Sequence, residues 1–124
     1  MAAAEHKEIL DVDLKELYTA IADYSAYPQF VTGMKETKIL SSQGDSHTVH
    51  FDLEMMKRVQ YVTNVTQSLD EASGTASVVW TLEGTNQFFK KNNGSWHLKS
   101  VGPGKTEALY KLEVEFNFMV PGFC

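Results

Sequence analysis

Near its C-terminal end the chain reads TEALYKLEVEFNF, and apolar and polar residues alternate there almost without a break. Tyr110, Leu112, Val114, Phe116 and Phe118 fall on one side, and Lys111, Glu113, Glu115 and Asn117 on the other. Successive side chains of a strand point to opposite faces, so the pattern predicts a long strand with one face buried and one in water. The same period recurs upstream. In SHTVHFDLEMM, Val49, Phe51, Leu53 and Met55 alternate with His50, Asp52 and Glu54; in TASVVWTLEG, Ala76, Val78, Trp80 and Leu82 share a face. VQYVTNVTQSL is rich in β-branched and aromatic residues, which suit a pleated, half-buried surface. MKETKIL and SWHLKSV read as further strands, and His6–Leu10 as a short first one. SSQGD, DEASG, KKNNG and GPGK read as the turns between them. The expectation is a meander of about six antiparallel strands after the first, each burying one face.

Helical periodicity occurs once. Leu14, Leu17, Tyr18 and Ile21 in DVDLKELYTAIADY lie on one helical face, with Asp13 as N-cap and Glu16 in a capping-box position. The helix has to stop before Pro28, and AYPQFV adds a short helical turn with Pro28 near its start. A helix of about 11 residues is too little to cover so many apolar strand faces. The sheet must curl strongly, or a partner must cover it, or a further helix must follow residue 124.

The 124 residues fit one domain, residues 1–124, with 43% apolar and 22% charged residues. A net charge of −5 argues against a phosphate-backbone partner, so no nucleic acid is expected. The only short basic candidate is Lys90–Lys91 within FFKKNNGSW, which reads as a hairpin tip able to touch a membrane surface or a protein. The single cysteine, Cys124, permits no internal disulfide and suits a reducing compartment. MAAAEHKEIL lacks the pattern of a signal peptide, and no apolar stretch approaches the roughly 18 residues of a membrane span. A cytoplasmic protein without stable membrane insertion is the expectation.

Few residues are arranged for chemistry. His6, His47, His50 and His97 are scattered, without zinc-site spacing, so neither metal nor other cofactor is expected. There is no nucleophile elbow, and GPGK is no phosphate cradle. The carboxylate pairs Asp52/Glu54 and Glu113/Glu115 lie opposite apolar rows and read as solvated outer-face charges. No catalytic residue is assigned.

A resemblance adds to this reading. Asp23, Tyr24, Tyr27, Pro28 and Phe30 in DYSAYPQF follow the first helix, and Gly94, Trp96, Gly104, Thr106 and Tyr110 fall in NNGSWHLKSVGPGKTEALYKLEVEF. Together they resemble the START-like helix-grip superfamily (SRPBCC), in its polyketide cyclase/dehydrase and coenzyme Q-binding branch. The resemblance implies an α+β helix-grip fold: a curved antiparallel β-sheet with N-terminal helices, gripping a long C-terminal helix around a hydrophobic cavity. This sequence reaches FMVPGFC where that helix would begin, so the helix is expected to be absent from it, and three explanations stand open: a truncated chain, a disordered tail, or a groove filled by a second copy or a protein partner.

The resemblance and the aromatic inward faces imply binding or transport of a hydrophobic small molecule: a lipid, an isoprenoid quinone or a polyketide-like compound. The candidate ligand contacts are Tyr18, Tyr27, Phe30, Phe51, Tyr61, Trp80, Trp96 and Tyr110. Each reads equally as plain core. Tyr61, Tyr110 and Thr63 can donate a hydrogen bond to a carbonyl or phenol. Two alternatives stand beside this: a polyketide aromatase/cyclase-type enzyme, or an interaction module of the ribosome-associated type. Binding without catalysis is favoured over the enzyme, because no acid or base is placed in the inward rows.

Overall fold

The computed structural model describes residues 2–54 and 57–118. The expectations that involve Met55, Pro121, Gly122 and Cys124 lie outside the described residues. Strand β1, Ala2–Leu10, is followed by helix α1, Leu14–Ile21, and a 3₁₀ segment, Tyr24–Gln29. Six strands then follow: β2 Met34–Gln43, β3 Ser46–Glu54, β4 Arg58–Asp70, β5 Thr75–Leu82, β6 Phe89–Gly102 and β7 Lys105–Phe116. All seven form one antiparallel sheet in the order β1-β7-β6-β5-β4-β3-β2. The expected meander is present, and β1 closes it by pairing with β7 along its whole length. β1 and β2 are neighbours in sequence but stand at opposite edges of the sheet. The chain between them, α1 and the 3₁₀ segment, therefore crosses one face. Register shifts in β2 and β6 help that face curl into a concave surface.

The apolar side of α1 meets that face as its periodicity predicts. Leu14 packs with Ala76, Leu98 and Ala108, supported by Leu17, Tyr18 and Ile21. Tyr24 continues the cover over Val49, Phe51, Val65 and Val78. A third cluster, Val59, Phe89 and Val114, supported by Phe88 and Phe116, joins the second of these through Tyr61, which packs against both. Among the described residues no helix follows β7.

Several local readings are corrected. Helix α1 has eight residues, and Asp13 occupies its N-cap position without a side-chain bond to the helix. The Asp13 carboxylate instead accepts from the Gly104 N–H at 3.1 Å. Gly104 has φ +66°, a left-handed backbone that glycine adopts without strain, so GPGK is a turn as expected. Two further bonds hold that turn to the start of α1: Lys105 Nζ donates to Asp11 at 2.7 Å, and Thr106 Oγ1 to the Val12 carbonyl at 2.8 Å. Pro28 lies at the end of its 3₁₀ segment, not near the start.

The larger correction concerns KKNNG. Residues 90–94 are not a turn but the first half of β6. The turn lies just upstream, where the Asn86 side chain accepts from the backbone N–H groups of Phe88 and Phe89, each at 2.9 Å. Lys90 and Lys91 pair with Glu115 at 3.7 Å and Glu113 at 3.0 Å, so they form no free basic tip. Gly94 is required by packing, not by turn geometry. A Cβ built there would lie 2.1 Å from Cζ2 of Trp80, whose indole rests on the bare glycine.

Asp52 faces outward as expected but is not solvated. Its side chain is only 7% exposed, because Arg58 closes over it with two bonds, Nε to Oδ1 at 2.7 Å and Nη2 to Oδ2 at 2.6 Å. That guanidinium holds the Asp52 carboxyl below the usual carboxylate range.

Two predictions follow from these contacts. Gly94→Ala is expected to cost about 1–3 kcal/mol in urea denaturation, since the indole has to move off its seat; a change within error would show that the indole tolerates the methyl. For Asp52 the folded pKa lies below the unfolded one, so its stabilisation is complete above about pH 4 and is lost as pH falls through the folded value. Asp52→Asn should flatten the acid limb of a stability–pH curve. It should not abolish that limb, because Asp11 and Asp70 are lowered too, by hydrogen bonds from Lys105 and Ser73.

Candidate ligand-binding cavity

Between the concave face and the crossing segment lies a cavity of about 460 Å³. The sheet supplies its floor through side chains of one face. Phe51 on β3 sits directly opposite Tyr61 on β4, and the rings stack at 5.1 Å. Trp96 on β6 sits opposite Tyr110 on β7, with ring centroids 4.7 Å apart. Trp80 on β5 lies between these pairs and approaches Tyr110 at 6.1 Å. The crossing segment supplies the roof. Tyr24, Tyr27 and Phe30 form an edge-on aromatic chain, with centroids 5.8 and 5.7 Å apart, and Tyr27 reaches Phe51 at 6.4 Å. Phe30 is 65% exposed although it lines the cavity, so it marks the mouth.

Seven of the eight aromatic candidates, Tyr27, Phe30, Phe51, Tyr61, Trp80, Trp96 and Tyr110, line this one cavity. Tyr18 does not. It lies on the buried side of α1, packed against both core clusters beneath that helix. Tyr24 and Asn92 also line the cavity but were not among those eight. Asn92 was hidden by the turn-like composition around it. In the structure it is 7% exposed, and its Oδ1 accepts from Trp80 Nε1 at 3.4 Å.

Among the described residues the wall contains no Asp, Glu, His, Lys, Arg or Cys. Its titratable groups are phenols, and burial raises each of them. Tyr27 is pushed up to about 12, first by desolvation and then by the nearby phenol of Tyr110. Tyr61 and Tyr110 are raised for the same leading reason, and Tyr61 is further opposed by the phenols of Tyr110 and Tyr27. All three side chains line the cavity, and their hydroxyls remain neutral at physiological pH. The Tyr27 hydroxyl is spent on the Ile21 carbonyl at the end of α1, and that of Tyr24 on Gln67 at 2.8 Å.

Two fully buried threonines show opposite arrangements. Thr106 is satisfied by the Val12 carbonyl. Thr63 lines the cavity, and its hydroxyl has no hydrogen-bond partner among the described residues. Among the described residues no group of three or more His, Cys, Asp and Glu side chains is placed to hold a metal ion. No helix there is long and apolar enough to cross a membrane.

The curved seven-stranded antiparallel sheet with its N-terminal helical segments is shared with START-like proteins, although among the described residues the long C-terminal helix of that fold is not evident. The chain belongs to the family of polyketide cyclase/dehydrase and lipid transport proteins, which it matches over residues 10–124. A START superfamily protein from Mycobacterium smegmatis superposes with a TM-score of 0.81 at 21% identity, covering 97% of this chain and 81% of that one. The ZhuI aromatase/cyclase from Streptomyces sp. R1128 gives 0.79 at 12% identity, over 96% and 70%. A STAR-related lipid transfer protein from Xanthomonas axonopodis gives 0.77 at 11% identity, over 95% and 72%. At these identities the superpositions establish the shared fold. No curated protein sequence matches the chain.

The two threonines can be tested as a pair. Thr63→Val removes an unpaired buried hydroxyl while keeping the shape, and should raise stability by about 1 kcal/mol. Thr106→Val leaves the Val12 carbonyl without its donor and should lower stability by about 1–3 kcal/mol. Thermal or urea melts read both signs, and equal losses would contradict the assignment.

Proposed function

We propose that the protein binds and carries a hydrophobic small molecule in this cavity, of the lipid, isoprenoid quinone or polyketide-like kind. The observation that carries the reading is a wall of aromatic and aliphatic side chains in which, among the described residues, the only titratable groups are phenols and polar atoms are few. Its volume, about 460 Å³, falls within the range of small-molecule sites. The contacts we assign are Tyr27, Phe30, Phe51, Tyr61, Trp80, Trp96 and Tyr110. Family membership supports the reading, since the family is described by both lipid transport and polyketide cyclisation. A cytoplasmic setting suits a chain with one cysteine.

Cyclase-type chemistry is the second reading, and the presence of the Tyr27, Tyr61 and Tyr110 phenols in one cavity wall favours it. A cavity that holds a reactive chain in a productive bend accelerates its closure by orientation alone. Against it, phenols raised by burial are poor proton donors near neutrality, and among the described residues the wall offers no other acid or base. A groove filled by a second copy is the competing arrangement for the same apolar surface.

Native mass spectrometry of the freshly purified protein, set against the denatured mass, tests these readings. The expected result is a monomer heavier by a few hundred daltons, with the added species recoverable in organic solvent. An empty dimer would overturn the carrier in favour of groove filling. Two further outcomes are expected in titrations followed by tryptophan fluorescence, since both tryptophans line the cavity. Affinity for an uncharged ligand should be flat between about pH 5 and pH 9, because no wall group titrates there. A bell-shaped dependence would argue for a catalytic acid and base. Tyr110→Phe should leave folding intact and weaken a ligand that carries a polar head; unchanged affinity would remove Tyr110 from the contacts.

A further inference from the structure

The polar atoms of the cavity are few, and their placement narrows the ligand. Thr63 is 0% exposed, its hydroxyl is unpartnered among the described residues, and it forms part of the cavity wall. A buried hydroxyl without a partner is destabilising, and such groups in native structures call for an explanation. On the same face of β4, one rung away, stands Tyr61, which shares the cavity wall with Asn92. Asn92 is in turn held by the Trp80 indole N–H. Tyr110 and Tyr27 line the same wall. No hydrogen bond to the Tyr110 hydroxyl is formed by the described residues, so two unpartnered hydroxyls, those of Thr63 and Tyr110, belong to side chains of one cavity wall, the Thr63 hydroxyl lying fully buried within it.

The charge environment narrows it further. Among the described residues no cation lines the wall. Helix α1 reaches the cavity only through Ala20 and Ile21, at its C-terminal end, where the helix dipole is negative. A carboxylate or phosphate brought here would lose its hydration with neither a counter-charge nor a helix N-terminus to replace it. A neutral carbonyl or hydroxyl needs only the donors already present.

We infer that Thr63, with Tyr110, Tyr61 and Asn92 around it, is a recognition subsite for an uncharged oxygen function, a ketone, quinone carbonyl or hydroxyl, on a hydrophobic ligand, and that the cavity discriminates against anionic lipids and fatty carboxylates. This rests on the reading of the cavity as a hydrophobic-ligand site, and it assigns the head group that reading leaves open.

The test uses the full chain and a neutral fluorescent probe, N-phenyl-1-naphthylamine, displaced by three compounds of similar size: 2-acetylnaphthalene, 2-ethylnaphthalene and 2-naphthoate. The expected order is ketone first, at about three- to tenfold lower concentration than the hydrocarbon, as one or two hydrogen bonds would give. The carboxylate should be weakest. Thr63→Val should erase most of the ketone's advantage and leave the hydrocarbon unchanged, while its melting temperature stays at or above that of the parent chain. Equal displacement by ketone and hydrocarbon, or a Thr63→Val loss shared by both, would overturn the subsite and leave the hydrophobic-ligand reading standing. Displacement by the carboxylate at the lowest concentration would overturn the charge argument. Failure of the probe to bind at all would overturn the hydrophobic-ligand reading, and the subsite with it.

Discussion

A sheet with one apolar face must bury that face, and here eight residues of helix and a 3₁₀ segment are all that cross it among the described residues. The curvature of the sheet, the aromatic weight of its inner rows and the position of the crossing segment all answer this shortage of cover. Large rings fill width that aliphatic side chains would leave open; they stack or tilt against one another across neighbouring strands and meet edge-on within the crossing segment. Gly94 is part of the same solution. By presenting no side chain, it lets the Trp80 indole lie down against the sheet and extend the floor sideways. Cover that stays thin over a concave apolar surface leaves a cavity, and the cavity is the functional feature.

Several buried polar groups are satisfied within the fold: Thr106 by the Val12 carbonyl, Tyr24 by Gln67, Asp52 by Arg58. Among the described residues two buried hydroxyls have no partner, that of Thr37 on β2 and that of Thr63 in the cavity wall. Stability alone would favour valine there. A residue that breaks a local rule without structural compensation is the kind expected where binding, not folding, sets the requirement.

The period-two rows made the sheet legible, because each strand buries one face and a slip by one residue would invert it. The helix face Leu14, Leu17, Tyr18 and Ile21 was equally plain, yet it led Tyr18 to be counted with the cavity residues when its side of α1 packs into core. What local sequence obscured was tertiary. Lys90 to Gly94 have turn composition, but Asn92 and Gly94 are selected by an indole at position 80, which lies on another strand. Asp52 points outward as alternation requires, but whether an outward carboxylate is wet depends on Arg58 reaching across the hairpin. Gathering eight aromatics around one void depends on sheet curvature, which no single segment encodes.

The three bonds that hold the start of α1 to the β6–β7 turn join residues 91 to 94 positions apart: Asp13 to Gly104, Asp11 to Lys105 and Val12 to Thr106. They give the folding reaction an order. The helix that partly roofs the cavity is made well before its anchor, which follows it by 91 to 94 residues. Until β7 is made, the apolar side of α1 and the inner rows of the growing sheet lack their shared tether. Such a topology folds slowly, because distant ends must meet before either gains its contacts. During synthesis the nascent chain therefore presents its most aromatic surface before it can close it, and a chaperone that shields such surface would act in that interval.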